Sequence, residues 1–191
     1  DGVQTRGRSG EPPWCLFRRR GAVIPATPAG QRRSQSLSFR HMSTHVSIRR
    51  AAGSDAASLA RLAGELGYPV QLEIMRKRLQ AVLESDADLL IVAVDSAGAV
   101  VGWLQAQAAT VVESGLRVEI VGLIVAPGCR RRGVGRALVA TAEDWAKTVS
   151  AEVVVVRSNI QRAESHSFYP ALGYITAKTQ VVYRKPLTAG R

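Results

Sequence analysis

A mixed α/β domain, with a mostly antiparallel central sheet and helices on both faces, is the fold class the sequence predicts. Three observations predict it. Helix-spaced apolar residues over 59–83 are followed by three strand-like runs joined by tight turns, which is a hairpin pattern. One strand–helix–strand crossover lies in the second half, over 116–158. The resulting order, β-α-α-β-β-β-α-β-α-β-β, lacks the strict alternation of a doubly wound dinucleotide fold.

The elements follow in turn. Val46-Ser47-Ile48 alternates as a short strand. Ser54 is placed to cap a helix whose Leu59, Leu62, Ala63 and Leu66 share one face, and Gly67-Tyr68-Pro69 ends it. A second helix gathers Leu72, Met75, Leu79 and Leu83. Leu89–Val94 reads as a buried strand, Asp95–Gly98 as a turn, and Val100–Ala109 as its hairpin partner. Glu113-Ser114-Gly115 turns into a long strand, Leu116–Val125, which Pro127-Gly128 stops. A helix is predicted over 134–149, a β-branched strand over 152–158, and a helix over 162–172 closed by Gly173. Two short strands, near 174–176 and 179–184, complete the expectation.

Residues 1–41 are rich in Arg, Gly, Pro and Ser and show neither the strand nor the helix period. They are read as a disordered basic extension ahead of a domain over 42–191. Met42 is taken as the natural start, and the extension as added or upstream-frame sequence in preference to a targeting segment, whose amphipathic helix Pro12, Pro13, Pro25 and Pro28 oppose. The formal charge of +11 is unevenly placed. Eight arginines against Asp1 and Glu11 put six net positive charges in residues 1–41, leaving five for the rest. A basic tail plus one basic loop is a poor match to a basic groove, and the few aromatics are not interleaved with it, so nucleic acid is not the expected partner. No run approaches the ~18 apolar residues of a membrane span. Cys15 and Cys129 make neither a disulfide framework nor a zinc site, so no metal is expected and a cytoplasmic setting fits best.

The most specific feature follows the strand over 116–125: Pro127-Gly128-Cys129-Arg130-Arg131-Arg132-Gly133-Val134-Gly135-Arg136, then an amphipathic helix. A helix start leaves its first N–H groups unpaired and carries partial positive charge, which makes an anion site. Gly133 and Gly135 allow close approach or positive φ, and the arginines add permanent charge. Pyrophosphate binding is the chemistry on offer; a plain basic turn is the alternative. The loop has neither the spacing of a triphosphatase loop nor a full Gly-x-Gly-x-x-Gly.

With its context, the sequence resembles the GNAT superfamily of N-acetyltransferases. The hallmark Arg/Gln-x-x-Gly-x-Gly/Ala is matched by Arg130, Gly133 and Gly135. A second signature, Asn-x-x-Arg-x-x-Ala-His-x-Phe-Tyr-x-x-x-Gly-Tyr, is matched by Asn159, Arg162, His166, Phe168, Tyr169, Gly173 and Tyr174, with Ser165 where Ala is usual. The resemblance covers about Val46 to Pro186. It implies direct acyl transfer from acetyl-CoA to an amine. It implies pantetheine pairing along Leu123, Ile124 and Val125, a hydrogen bond from Asn159, and pyrophosphate on the loop over Arg130, Arg131, Arg132, Gly133, Val134, Gly135 and Arg136.

The attacking amine must be neutral, so a proton acceptor is needed. Glu119 is the candidate, as base or water-positioning group; a solvent-facing strand carboxylate that attracts the substrate is the alternative, and Glu113 is the second choice. Tyr169 is the candidate acid for the departing thiolate, against a core tyrosine role. His166 is assigned a structural or cofactor-side role, Cys129 is read as incidental, and Trp103 and Trp145 as core or sheet-face residues. Tyr68, Gln71 and Glu73 are the weaker candidates for an acceptor pocket. The resemblance points to small-molecule amines, aminoalkylphosphonate-like or aminoglycoside-like, and carries resistance to antibiotics and a homodimer as expectations. A protein N-terminal or lysine acceptor, a non-catalytic acyl-CoA sensor and a nucleic-acid binder are the rival readings.

Overall fold

The computed structural model describes residues 46–187, Leu66 excepted, so the expectations for residues 1–41 lie outside the described residues. Five strands form one sheet in chain order: β1 Val46–Arg50, β2 Asp88–Asp95, β3 Val100–Val111, β4 Gly115–Val125 and β5 Val153–Val156. The first four pair antiparallel, and β5 joins β4 in parallel after a crossover through α3, Val134–Thr148. Helices α1 (Ala56–Glu65) and α2 (Leu72–Glu84) lie between β1 and β2, and α4 (Ala163–Phe168) follows β5. The mixed, mostly antiparallel fold class is as predicted.

The side-chain period of two explains why β2 is apolar from Leu89 to Val94. Leu89, Ile91 and Ala93 pack with Val134, Leu138, Val139, Ala142 and Trp145 of α3. Leu90 and Val92 point the other way, onto Leu59 and Leu62 of α1 and Leu79 of α2. The sheet is therefore covered on both faces, and each face has its own core.

Four local expectations are corrected. The cap of α1 is not Ser54; the chain first makes a tight turn over Gly53–Asp55, and the Asp55 carboxylate accepts the Ala52 N–H (2.8 Å) and both arms of Arg49 (2.7 and 2.8 Å). The inward face of α2 runs through Met75, Leu79 and Val82, while Leu72 and Leu83 are partly exposed, a rotation of one position around the helix. The helix expected over 162–172 breaks after Phe168, because Pro170 has no N–H to continue the ladder; a single 3₁₀ turn, Pro170–Leu172, and a left-handed Gly173 finish it. Residues 174–187 form no strand. A strand requires a neighbour to take its main-chain bonds, and Ile175, Val181, Val182 and Tyr183 stand exposed, clear of the sheet.

Candidate active site

The sheet opens where β4 and β5 part. Their register runs only from Arg117 opposite Val153 to Ile120 opposite Val156. Immediately beyond, β4 carries a bulge: Ala106 of β3 faces Ile120 and Gln105 faces Gly122, which leaves Val121 as the extra residue. The insertion inverts the alternation. Val118 and Ile120 face α3 before it, Leu123 and Val125 after it, and Ile124 joins the opposite core.

Past the bulge β4 is paired on one side alone. The Ala126 N–H donates to the Val101 carbonyl at 2.8 Å, which fixes the phase of the ladder. Alternation then engages Ile124 with Trp103 and turns the main-chain groups of Leu123 and Val125 toward the edge that β5 has left. Of the three residues expected along a cofactor arm, two therefore present main-chain groups at a free edge. Arg130 Nε already donates to the Val125 carbonyl at 3.1 Å.

The arginine loop continues from this edge. A 3₁₀ turn, Pro127–Cys129, leads to an extended Arg130, and then Arg131 (φ 58°) and Gly133 (φ 82°) are both left-handed. Gly133 is the N-cap of α3, and no side chain among the described residues caps it. The first bond back into the helix is from the Ala137 N–H to the Gly133 carbonyl (3.0 Å), so the N–H groups of Val134, Gly135 and Arg136 have no intrahelical acceptor. Val134 itself is buried in the α3 core and pins the helix start in place.

The two glycines have different reasons to be glycine. Gly133 supplies a left-handed conformation. At Gly135 a Cβ would lie 3.2 Å from Phe168 Cζ, so the missing side chain also makes room for that ring. Arg136 reaches the Ala171 carbonyl at 3.4 Å and Arg130 stands 3.7 Å from Glu164, which ties the loop to α4. Cys129 is half-buried and packs against the α3 core.

After β5 the chain turns on Asn159. Its side-chain oxygen accepts the Gln161 N–H (2.9 Å) and its carbonyl the Arg162 N–H (2.9 Å), so the carboxamide N–H₂ is the part of Asn159 left to bond a ligand. His166 is exposed. Tyr169 is half-buried, edge-on to Phe168 (5.0 Å between centroids) and to Tyr174 (5.6 Å). Burial raises the Tyr169 phenol pKa against a smaller opposing pull from Arg162, which keeps it protonated. Burial and then Glu143 push Tyr174 far higher still.

On the α1/α2 face, strand alternation sets Arg117 and Glu119 side by side. Glu119 is largely buried, lies 2.7 Å from Arg157 Nη1 in an ion pair, and accepts from Arg117 Nη2 at 3.4 Å. It lies one residue before the last β4–β5 rung, next to the opening. Neither arginine was singled out from the sequence. The two-residue spacing of Arg117 and Glu119 was a readable signal, whereas Arg157 needed the strand register. Tyr68, Gln71 and Glu73 are all exposed at the α1–α2 connection and the start of α2, where Glu73 pairs with Arg76. Glu113 is exposed on the β3–β4 turn.

Residues 57–174 match the Acetyltransferase (GNAT) family. The chain belongs to that family. This GNAT chain is an acetyltransferase, and acetyl-CoA is its acyl donor. It is 26% identical over 145 residues to an aminoglycoside N(6')-acetyltransferase type 1 of Stenotrophomonas maltophilia, covering 73% of this chain and 93% of the relative. Over a shorter span, 56 residues, it is 39% identical to the aminoalkylphosphonate N-acetyltransferase of Salmonella typhimurium, covering 29% of this chain and 36% of that one. Among solved structures, aminoglycoside 6'-N-acetyltransferase AAC(6')-Ih from Acinetobacter baumannii superposes with a TM-score of 0.67 at 19% identity, covering 74% of this chain and 99% of the other. No helix among the described residues is long and apolar enough to cross a membrane.

Proposed function

We propose that this acetyltransferase moves an acetyl group directly from acetyl-CoA to a primary amine of a small molecule. The reading rests on one juxtaposition: an uncapped α3 N-terminus, preceded by two left-handed residues, adjoins the free edge of β4 where β5 diverges. The unpaired N–H groups of Val134, Gly135 and Arg136 suit a pyrophosphate, with Arg131 and Arg132 beside them. The edge groups of Leu123 and Val125 suit the amides of an extended arm, and the Asn159 N–H₂ suits one of its carbonyls. Val125 takes that role once Arg130 releases its carbonyl.

Acetyl-CoA supplies a thioester whose C–S bond breaks as the C–N bond to the acceptor forms. The residues around the opening then have two protons to manage. Glu119, or a water it holds, takes the proton that the amine loses on attack, and the Tyr169 phenol gives a proton to the departing sulfur. The phenol is protonated at neutral pH and so has the proton to give, although burial, by raising its pKa, makes it a weaker donor until charge builds on the sulfur. Fixing the two reactants side by side supplies much of the rate.

Small amines are the proposed acceptor class because relatives named for aminoglycoside and aminoalkylphosphonate acetylation align with this chain. A cytoplasmic setting and a homodimer belong to the same reading. The test is amine-dependent thiol release from acetyl-CoA, with the acetylated product identified by mass spectrometry. Thiol release matched by product supports the reading. Acetyl-CoA binding with no release across a broad amine panel would instead make the chain a sensor.

A further inference from the structure

The proposed function leaves the chemistry beside the amine open, and the α1/α2 face of the sheet narrows it. Two guanidinium groups converge there on one carboxylate. Glu119 is ion-paired with Arg157 at 2.7 Å and accepts from Arg117 at 3.4 Å. Each guanidinium carries five N–H donors, so most of this donor capacity is unused. In Arg117 the consequence is explicit: its Nε is buried and has no hydrogen-bond partner among the described residues. A buried donor on a charged group without an acceptor is costly unless a ligand supplies one. Arg157 is more than half exposed and reaches Glu119 across the end of β5, so part of its fork faces solvent at the opening.

The neighbours do not cancel this excess. Across the sheet from Glu119 come Gln107 and then Asp88, and Glu152, which lies against Gly115 at the start of β4, forms no ion pair with either arginine among the described residues. Asp88 also already accepts from Gln105 at 3.0 Å. At the rung beside the opening, two positive groups therefore flank one negative group. A polycation brought to this rung meets both arginines; an uncharged amine leaves their donors unused.

We infer that the acceptor is an amine that also carries an oxyanion, a carboxylate or a phosphonate, a few atoms from its nitrogen. The oxyanion bonds Arg117 and Arg157, which suit it geometrically because a guanidinium fork matches two oxygens. The amine end lies against Glu119. The inference rests on the acetyl-CoA reading above, and it sets the chain apart in substrate charge from relatives named for aminoglycosides.

The experiment is thiol release from acetyl-CoA by the full chain, with acetyl-CoA binding followed in parallel by calorimetry. The amines are a matched set: 3-aminopropylphosphonate, 3-aminopropanoate, propylamine and 1,3-diaminopropane, with kanamycin added. The two acids report which oxyanion fits better. The expected result is a kcat/KM for at least one acid about tenfold or more above propylamine and diaminopropane, equivalent to one good charge-assisted contact. Arg157→Leu brings that ratio to about two or less through a higher KM for the acid, and Arg157→Lys restores only part of it because a point charge lacks the fork. Rates for the acids equal to or below those for propylamine, diaminopropane or kanamycin, zero included, overturn the inference even if acetyl-CoA binds. That comparison within the parent chain needs no variant to fold. If acetyl-CoA itself does not bind, the underlying reading falls first and the inference with it.

Discussion

Replacing Gly122 by alanine tests the packing that shapes the opening. Gly122 follows the Val121 bulge, and the Trp103 ring lies over it. An alanine Cβ would stand 2.7 Å from Cζ3 and 3.0 Å from Cη2 of that ring. Favourable carbon contacts begin near ~3.5 Å, so the overlap is on the order of 0.8 Å and the ring must move. Overpacking of this kind costs about 1–3 kcal/mol. Alanine returns part of that, roughly 0.5–1 kcal/mol, by restricting the unfolded chain. The expected net loss is about 1–2 kcal/mol, or a fall in Tm of roughly 3–8 °C for a chain of this size. The assay is a double-mutant cycle by urea denaturation, followed by far-UV circular dichroism. In a Trp103→Phe background, which lacks the outer ring atoms, Gly122→Ala should cost less than about 0.5 kcal/mol. Trp103 Nε1 is itself buried without a partner among the described residues, so that background loses no hydrogen bond seen there. Equal costs in the two backgrounds would refute the steric argument.

Two further outcomes follow from the site and the core. Tyr169→Phe should lower kcat about 100-fold while changing the acetyl-CoA Kd by less than about threefold, read by steady-state kinetics and calorimetry. The pH sign is fixed by burial. The folded phenol keeps its proton where the unfolded chain loses it, near pH ~10, so parent stability declines as pH rises through that point. Removing the phenol should flatten this decline only in part, because Tyr174 contributes in the same direction. Asp55→Asn should destabilise by about 1–3 kcal/mol at pH 7, since Asp55 bonds both Arg49 and the Ala52 N–H. Arg49 holds the Asp55 pKa low, so this stability is present above pH ~4 and is lost as pH falls below it. The gap between variant and parent, measured as urea midpoints, should narrow at about pH 3.

Much of this architecture was legible because short-range rules carry it. Alternation in β2 and the helical spacing of Leu59, Leu62 and Ala63 are local, and they predicted which side chains are buried. The Arg130–Arg136 loop was equally legible, since an uncapped helix start preceded by glycine is a property of adjacent residues. What failed depended on distant partners. The reason Gly135 lacks a side chain was not legible locally, because Phe168, 33 residues on, occupies the space beside its Cα, while its N–H stays without an intrahelical acceptor. Residues 179–184 have strand composition, but composition does not supply a neighbouring strand. Arg157 could not be joined to Glu119 without the parallel register, whereas Arg117, two residues from Glu119 on one strand, was within reach of the sequence and was passed over.

The most direct test of the central claim is acetyl-CoA binding by calorimetry on the full chain, beside Gly133→Val. Valine is strained at a φ of 82°, a conformation that favours glycine, and it should disturb the α3 start that is proposed to hold the pyrophosphate. The account predicts micromolar binding by the parent and a loss of about tenfold or more in the variant, with Asp55→Asn as a control that carries a stability cost outside the assigned site. A folded parent that binds no acetyl-CoA, or a Gly133→Val chain that binds it as tightly as the parent, would contradict the assignment of the arginine loop as the cofactor site.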